Sequence, residues 1–101
     1  MSNHSWQCQQ QQIFCCARWF EDEQQIQRQL VRQLLAIGAQ IDGQQTGADR
    51  LQIRFRWRDE DYICYCEWLV EQIWIERFTP SVHSLQALAM ALCNAESTQT
   101  T

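Results

Sequence analysis

The most regular pattern in the chain is a strict alternation of apolar and polar positions between residues 50 and 58. The apolar parity holds Leu51, Ile53, Phe55 and Trp57, and the polar parity holds Arg50, Gln52, Arg54, Arg56 and Arg58. Successive side chains of a strand point to opposite faces, so this period of two predicts a β-strand with one buried face.

Two further strands are predicted after it, at 61–68 and 71–77. We expect a tight turn at Asp59-Glu60, because both residue types are depleted in strands. That turn places Arg58 opposite Asp61, and a second turn falls within residues 68–71. In this arrangement Tyr65 lies opposite Trp74, and Ile63 lies opposite Glu76. A slip of one residue would bury the arginines, so the pattern itself protects the register.

Two helices flank these strands. Asp22, with Gln25 three residues later, predicts a helix start, and Gly38 predicts its end. The apolar residues between them recur at helical spacing: Ile26, Leu30, Val31, Leu34, Leu35 and Ile37. Thr79-Pro80 predicts the start of a second helix, which ends near Asn94 and carries an apolar stripe of Val82, Leu85, Leu88, Ala89 and Leu92.

The remaining segments complete the predicted fold. Residues 13–20 form an apolar and aromatic run that suits a first strand, and residues 39–49 read as a connector because they contain the turn signals Asp42-Gly43 and Thr46-Gly47. The order is β-α-β-β-β-α. It predicts an α+β two-layer sandwich, a mostly antiparallel sheet with both helices on one face. We expect one domain over 12–95, a flexible N-terminus over 1–11 and a disordered tail over 96–101.

Charge and cysteine content narrow the class of protein. The chain has 8 basic residues, all of them arginine, against 12 acidic residues, for a net charge of −4. This balance argues against a dedicated duplex-binding protein. The N-terminus has no signal-peptide pattern, and no apolar run approaches the roughly 20 residues that span a bilayer. The six cysteines are therefore expected to be reduced thiols of a cytoplasmic protein that makes no membrane contact.

Candidate chemistry is sparse. The only histidines are His4, near the N-terminus, and His83, in the first turn of the second predicted helix. Neither histidine is predicted to lie beside a nucleophilic side chain. The acidic run Asp59-Glu60-Asp61 is typical of a solvated turn. Cys64-x-Cys66 places two thiols on the predicted core face, where a free cysteine behaves as a small apolar residue. A thiol cluster with Cys16 and Cys93 stays open, but we expect no enzyme, metal or cofactor.

The predicted outer face of the sheet, opposite the helices, carries the strongest functional signal. One row across three strands holds Arg54, Tyr65 and Trp74, and the next holds Arg56, Ile63 and Glu76. These six residues can be an ordinary sheet covering with weak cation–π contacts and surface ion pairs. An apolar cluster rimmed by charge is also typical of interaction sites, and Trp, Tyr and Arg dominate binding hot spots. We expect this face to bind a protein partner or a second copy of the chain.

Nucleic-acid binding by the same face is the alternative. Tyr65 and Trp74 could stack bases while Arg54, Arg56 and Arg58 follow a phosphate backbone. The α-β-β-β-α portion resembles double-stranded-RNA-binding domains in element order. However, the segment 80–84 has none of the basic residues with which the matching helix start of those domains grips phosphates. The acidic net charge places a protein partner first.

Overall fold

A computed structural model describes residues 6–9, 12–15, 22–78 and 85–99, with side chains described as far as Ala95. The elements are β1 (Trp6–Gln9), β2 (Gln12–Cys15), α1 (Glu23–Ala36), β3 (Gln40–Thr46), β4 (Arg50–Trp57), β5 (Glu60–Glu67), β6 (Gln72–Arg77) and α2 (Gln86–Gln99). All six strands form one antiparallel sheet in the order β1-β2-β6-β5-β4-β3. The predicted α+β class is confirmed.

Both helices pack on one side of the sheet, which we call the inner face. Its central side chains are buried: Leu51, Ile53, Phe55 and Trp57 of β4, Tyr62, Cys64 and Cys66 of β5, and Ile73 and Ile75 of β6. The same core cluster contains Ile26, Leu30 and Leu34 of α1 and Leu88, Ala89 and Leu92 of α2. The apolar side chains of β4 thus lie on the face that packs against the helices, as the alternation predicted.

The boundaries of α1 follow local chemistry. Asp22 is the N-cap, and its side chain accepts a hydrogen bond from the backbone N–H of Gln24 at 3.1 Å. The chain leaves the helix through Gly38, whose φ of 88° is the left-handed conformation that glycine adopts without strain. Both predicted ends of this helix are confirmed.

The second helix differs from its prediction at the C-terminal end. The described part of its apolar stripe is buried at Leu85, Leu88, Ala89 and Leu92, as expected. The proposed start at Thr79-Pro80, with Val82, lies outside the described residues. The helix continues past Asn94 to Gln99, so the predicted end near Asn94 is too early.

The N-terminal segment adds a strand that was not predicted. Residues 6–9 form β1, which pairs with β2 along its whole length, so this part of the expected flexible terminus is ordered. Trp6 explains why: its side chain is buried, and its Nε1 donates a hydrogen bond to Oε1 of Gln33 on α1 at 3.1 Å. Gln33 is itself buried, so each side chain supplies the polar partner that the other needs.

The segment predicted as a connector forms the other edge strand. Gln40–Thr46 pairs with β4 as β3, with a register shift between Ile41 and Gly43. The Asp42-Gly43 pair therefore marks a β-bulge rather than a turn between elements. Bulges are common at sheet edges and often contain glycine, so the connector prediction is wrong for 40–46.

The hairpin between β4 and β5 turns one residue earlier than predicted. Trp57 pairs with Glu60, and the turn residues are Arg58 and Asp59, both left-handed with φ of 51° and 66°. The register is thus shifted by two residues. The shift places Tyr62 opposite Phe55, where their rings stack at 5.3 Å. Because the shift is even, every side chain that remains within the two strands keeps its predicted face.

Candidate functional site

Three aromatic side chains form a row on the side of the sheet away from the helices, which we call the outer face. Trp74 of β6 lies between Phe14 of β2 and Tyr65 of β5 as their direct cross-strand neighbour. The Trp74 and Tyr65 rings stack with centroids 5.2 Å apart and an angle of 21° between their planes. Such offset pairs contribute about 0.5–1.5 kcal/mol beyond area burial. The row is a rigid aromatic surface.

Two more apolar side chains extend this row toward the β4–β5 turn. Ile63 lies two residues before Tyr65 on β5 and is half-buried. Phe78 follows β6 and is 55% exposed; it lines a shallow depression together with Ile63. We call the five residues the outer patch: Phe14, Ile63, Tyr65, Trp74 and Phe78. A contiguous apolar area of this kind on a sheet surface is typical of an interaction site.

Polar groups fix the indole of Trp74. Oε2 of Glu76 accepts a hydrogen bond from Nε1 of Trp74 at 2.9 Å and another from Nε2 of Gln12 at 2.7 Å. Glu76 lies between Ile63 and Gln12 in the sheet, so it links β5, β6 and β2. The Glu76 carboxylate thus fixes the orientation of the Trp74 indole, which is the largest ring of the patch and remains at the surface.

The arginines of β4 occupy different places from those predicted. Because of the register shift, Arg54 lies beside Ile63 rather than Tyr65. Its guanidinium carbon is 5.5 Å from the centroid of the Phe78 ring. Arg56 lies opposite Asp61, so the predicted pair between Arg56 and Glu76 is also wrong.

The arginine nearest to Tyr65 is one that the sequence argument did not assign. The Arg50 guanidinium carbon lies 5.9 Å from the centroid of the Tyr65 ring, and the same guanidinium forms an ion pair with Glu67. Both groups are partly exposed, and such pairs contribute about 0–1 kcal/mol. The aromatic row therefore ends, beside Tyr65, at the Arg50–Glu67 ion pair, whose charges neutralise each other.

Arg58 leaves the outer face altogether. It lies in the turn, and its guanidinium carbon is 4.3 Å from the centroid of the Trp57 ring. Trp57 belongs to the inner face, and its Nε1 donates to the carbonyl of Ile37 at 3.0 Å. The expected pair of Arg58 with Asp61 is therefore wrong. Arg54, Arg56 and Arg58 therefore do not all lie on one face, contrary to what the nucleic-acid alternative expected.

All six predicted site residues lie on the outer face: Arg54, Arg56, Ile63, Tyr65, Trp74 and Glu76. The Tyr65–Trp74 and Ile63–Glu76 neighbours are as predicted, whereas the placement of both arginines is corrected. Phe14 and Phe78 were not foreseen as members. Phe14 was within the predicted first strand, but its place in the sheet could not be read from the chain. The binding role of these residues stays a prediction.

The inner face holds the perturbed ionisable groups. A hydrogen bond to the Cys66 thiol, together with burial, raises the pKa of Cys64 well above its usual range. Burial, then a hydrogen bond from its hydroxyl to Oε1 of Glu60, raises the pKa of Tyr62 to about 12. These groups are held in their neutral forms and face the core, as a structural role requires.

Two other classes of site require a cluster of metal-ligating side chains or a membrane-spanning helix. Among the described residues, no group of three or more His, Cys, Asp or Glu side chains is arranged to hold a metal ion. His4, Cys16 and His83 lie outside those residues. Within the described part of the chain, no helix combines the length and apolarity that crossing a membrane requires.

Comparison with known proteins identifies no relative. No family model matches the chain. Neither the curated proteins nor the solved structures give a match.

Proposed function

We propose that this protein is a small non-catalytic interaction module whose outer patch binds a protein, either a partner or a second copy of the chain. One observation supports this most strongly: apolar side chains from β2, β5 and β6 are contiguous on a face that no described helix or strand covers. Transfer of apolar surface out of water contributes about 25 cal/mol per Å² in favour of association, before the entropic costs of binding are subtracted. Stacked aromatic rings already lose little conformational freedom when they bind.

Charge favours a protein over nucleic acid as the occupant. On β4, β5 and β6, the outer face carries three arginines, at 50, 54 and 56, and three acidic residues, Asp61, Glu67 and Glu76. Arg50 is already paired with Glu67, and Arg58 lies over an inner-face ring. A phosphate backbone requires a continuous basic groove, whereas mixed charge around an aromatic centre suits a protein interface.

We also propose a cytoplasmic location, with the thiols reduced and no cofactor bound. Among the described residues, Cys8, Cys64 and Cys66 are free thiols. Cys64 and Cys66 are buried in the core, where a reduced thiol packs as a small apolar side chain.

Light scattering over a concentration series tests the self-association form of the proposal. We expect the molar mass to rise from the 12.0 kDa of one chain toward twice that value. Ile63→Asp places a carboxylate within the patch and abolishes the rise. Leu69→Asp is the matched control, because Leu69 is 79% exposed in the turn between β5 and β6; it leaves association unchanged.

If the chain stays monomeric at every concentration, other binding partners of the outer patch are tested next. Retention of a single-stranded oligonucleotide that weakens with salt, and is lost in Ile63→Asp but not in Leu69→Asp, would replace the protein proposal with the nucleic-acid alternative. Equal behaviour of the two variants in every binding assay would contradict both uses of the patch.

A further inference from the structure

The strand β3 forms one edge of the sheet, away from the outer patch. Its seven residues end the strand order, and no described residue pairs with its outward backbone groups. Edge strands are normally blocked by charges, proline or bulges. β3 has no lysine or proline, and its one charged residue, Asp42, lies with the bulge near the start, so Gly43–Thr46 is uncharged and pairs regularly with β4. This stretch can accept another strand.

A groove runs beside this edge on the helix side. It is lined by one flank of α1 and by one residue of β3: Gln24, Gln27, Arg28, Val31, Arg32, Leu35 and Gln44. Nε2 of Gln27 donates a hydrogen bond to Oε1 of Gln44, which ties the helix to the strand. A strand added to β3 would direct every second side chain toward this flank.

The flank presents two kinds of side chain, each repeated after one helical turn. Val31 is half-buried and Leu35 is 55% exposed, and residues four apart lie on one helix face. Arg28 and Arg32 form a second pair with the same spacing. Neither arginine has a carboxylate within 4.0 Å among the described residues. The groove therefore combines apolar side chains with two arginines that no described carboxylate neutralises.

We propose that β3 and this flank of α1 bind an extended acidic peptide segment as an added strand, with apolar and acidic side chains at the positions facing the helix. Backbone hydrogen bonds to β3 supply affinity, and the side-chain contacts supply selectivity, as in other cases of strand addition. The site is independent of the outer patch, because it lies along the sheet edge and on the opposite side of the sheet.

A second copy of the chain fits the groove less well than an acidic peptide. Pairing two β3 edges would bring two α1 flanks together. Each flank carries Arg28 and Arg32, and α1 has no acidic residue after Glu23. Like charges would then face each other without compensation.

Fluorescence anisotropy with a labelled peptide tests the proposal on the full chain. The probe matches the seven residues of β3 in length, with threonine at every second position and valine and glutamate alternating between them. We expect saturable binding, and binding weaker by about ten-fold or more when lysine replaces glutamate. The double variant Arg28→Glu/Arg32→Glu reverses this preference, whereas Arg56→Glu, on the outer face, leaves it unchanged.

N-methylated probes distinguish strand addition from simple charge attraction. Only alternate N–H groups of an added strand face β3, so methylation of one set abolishes binding and methylation of the other set does not. Equal binding of the two methylated probes would overturn the proposal, as would indifference to the charge of the peptide. Self-association that persists in Ile63→Asp but is lost in Leu35→Glu would assign the groove to a second copy instead.

Discussion

The two faces of β5 differ in how much of their side-chain surface the fold covers. Cys64 and Cys66 point to the inner face and are fully buried under the helices, whereas Ile63 and Tyr65 point outward and keep part of their surface in water. Composition alone does not separate them, since both pairs are apolar or amphipathic. The two pairs differ because both helices lie on one side of the sheet and cover the inner face. The outer side therefore keeps apolar area that the fold does not bury.

The largest difference between the faces is expected in thiol reactivity. Cys64 should react with a thiol reagent only when the protein unfolds, slower than in the unfolded chain by on the order of a thousand-fold or more. A cysteine introduced by Ile63→Cys, one residue away on the outer face, should react rapidly in the native protein. Mass spectrometry of digested, labelled protein measures both rates. Rapid native labelling of Cys64 would mean that the inner face is misassigned.

Truncation of an inner aromatic side chain should be the most costly single change in stability. Phe55 is fully buried and stacks on Tyr62, so Phe55→Ala removes packing and leaves a cavity. We expect the free energy of unfolding to fall by about 3–5 kcal/mol. Urea denaturation followed by circular dichroism measures this loss, and a loss below about 1 kcal/mol would contradict the burial of Phe55.

The burial of Tyr62 on the inner face can be tested by alkaline titration. The chain has two tyrosines, so Tyr65→Phe leaves Tyr62 as the only tyrosinate signal. Its pKa is raised from 10.0 to about 12 in the folded protein, so the unfolded state ionises first. The stability present below pH 10 is therefore lost as the pH rises toward 12. Ultraviolet absorbance should show late ionisation; a midpoint near 10 in folded protein would rule out the burial of this hydroxyl.

The smallest stability effect is expected on the outer face. Trp74→Ala removes a half-exposed ring and one stacked pair, so the free energy of unfolding should fall by about 1 kcal/mol while association weakens markedly. Urea denaturation and light scattering on the same samples separate the two effects. A loss above about 3 kcal/mol, the size of a core truncation, would show that Trp74 is a core residue.

Central elements were predictable from the chain, and edge elements were not. The alternation in β4 survives an error of two residues in the turn, because an even shift changes neighbours without changing faces. That error arose because Arg58 adopts a left-handed conformation usually reserved for glycine or asparagine. The strands β1 and β3 were missed because an edge strand buries few side chains and leaves little periodicity to detect.

The candidate site was predictable to the same extent. Parity alone placed Ile63, Tyr65, Trp74 and Glu76 on one face, and their cross-strand pairs follow from the turn before β6. The partners of Arg54 and Arg56 depended on the other turn and were therefore wrong. Phe14 joined the patch only because β2 pairs with β6, a long-range contact that no local pattern encodes.

The most direct test of the central claim is site-specific photo-cross-linking in the cells that make the protein. A photoreactive side chain is introduced at Ile63 within the outer patch or, as control, at Leu69, which is exposed in the neighbouring turn. We predict a discrete protein adduct from position 63, with a second copy or another protein, and none of comparable yield from position 69. Equal yields at both positions, or no protein adduct at position 63, would contradict the assignment of the outer patch as a protein-binding surface.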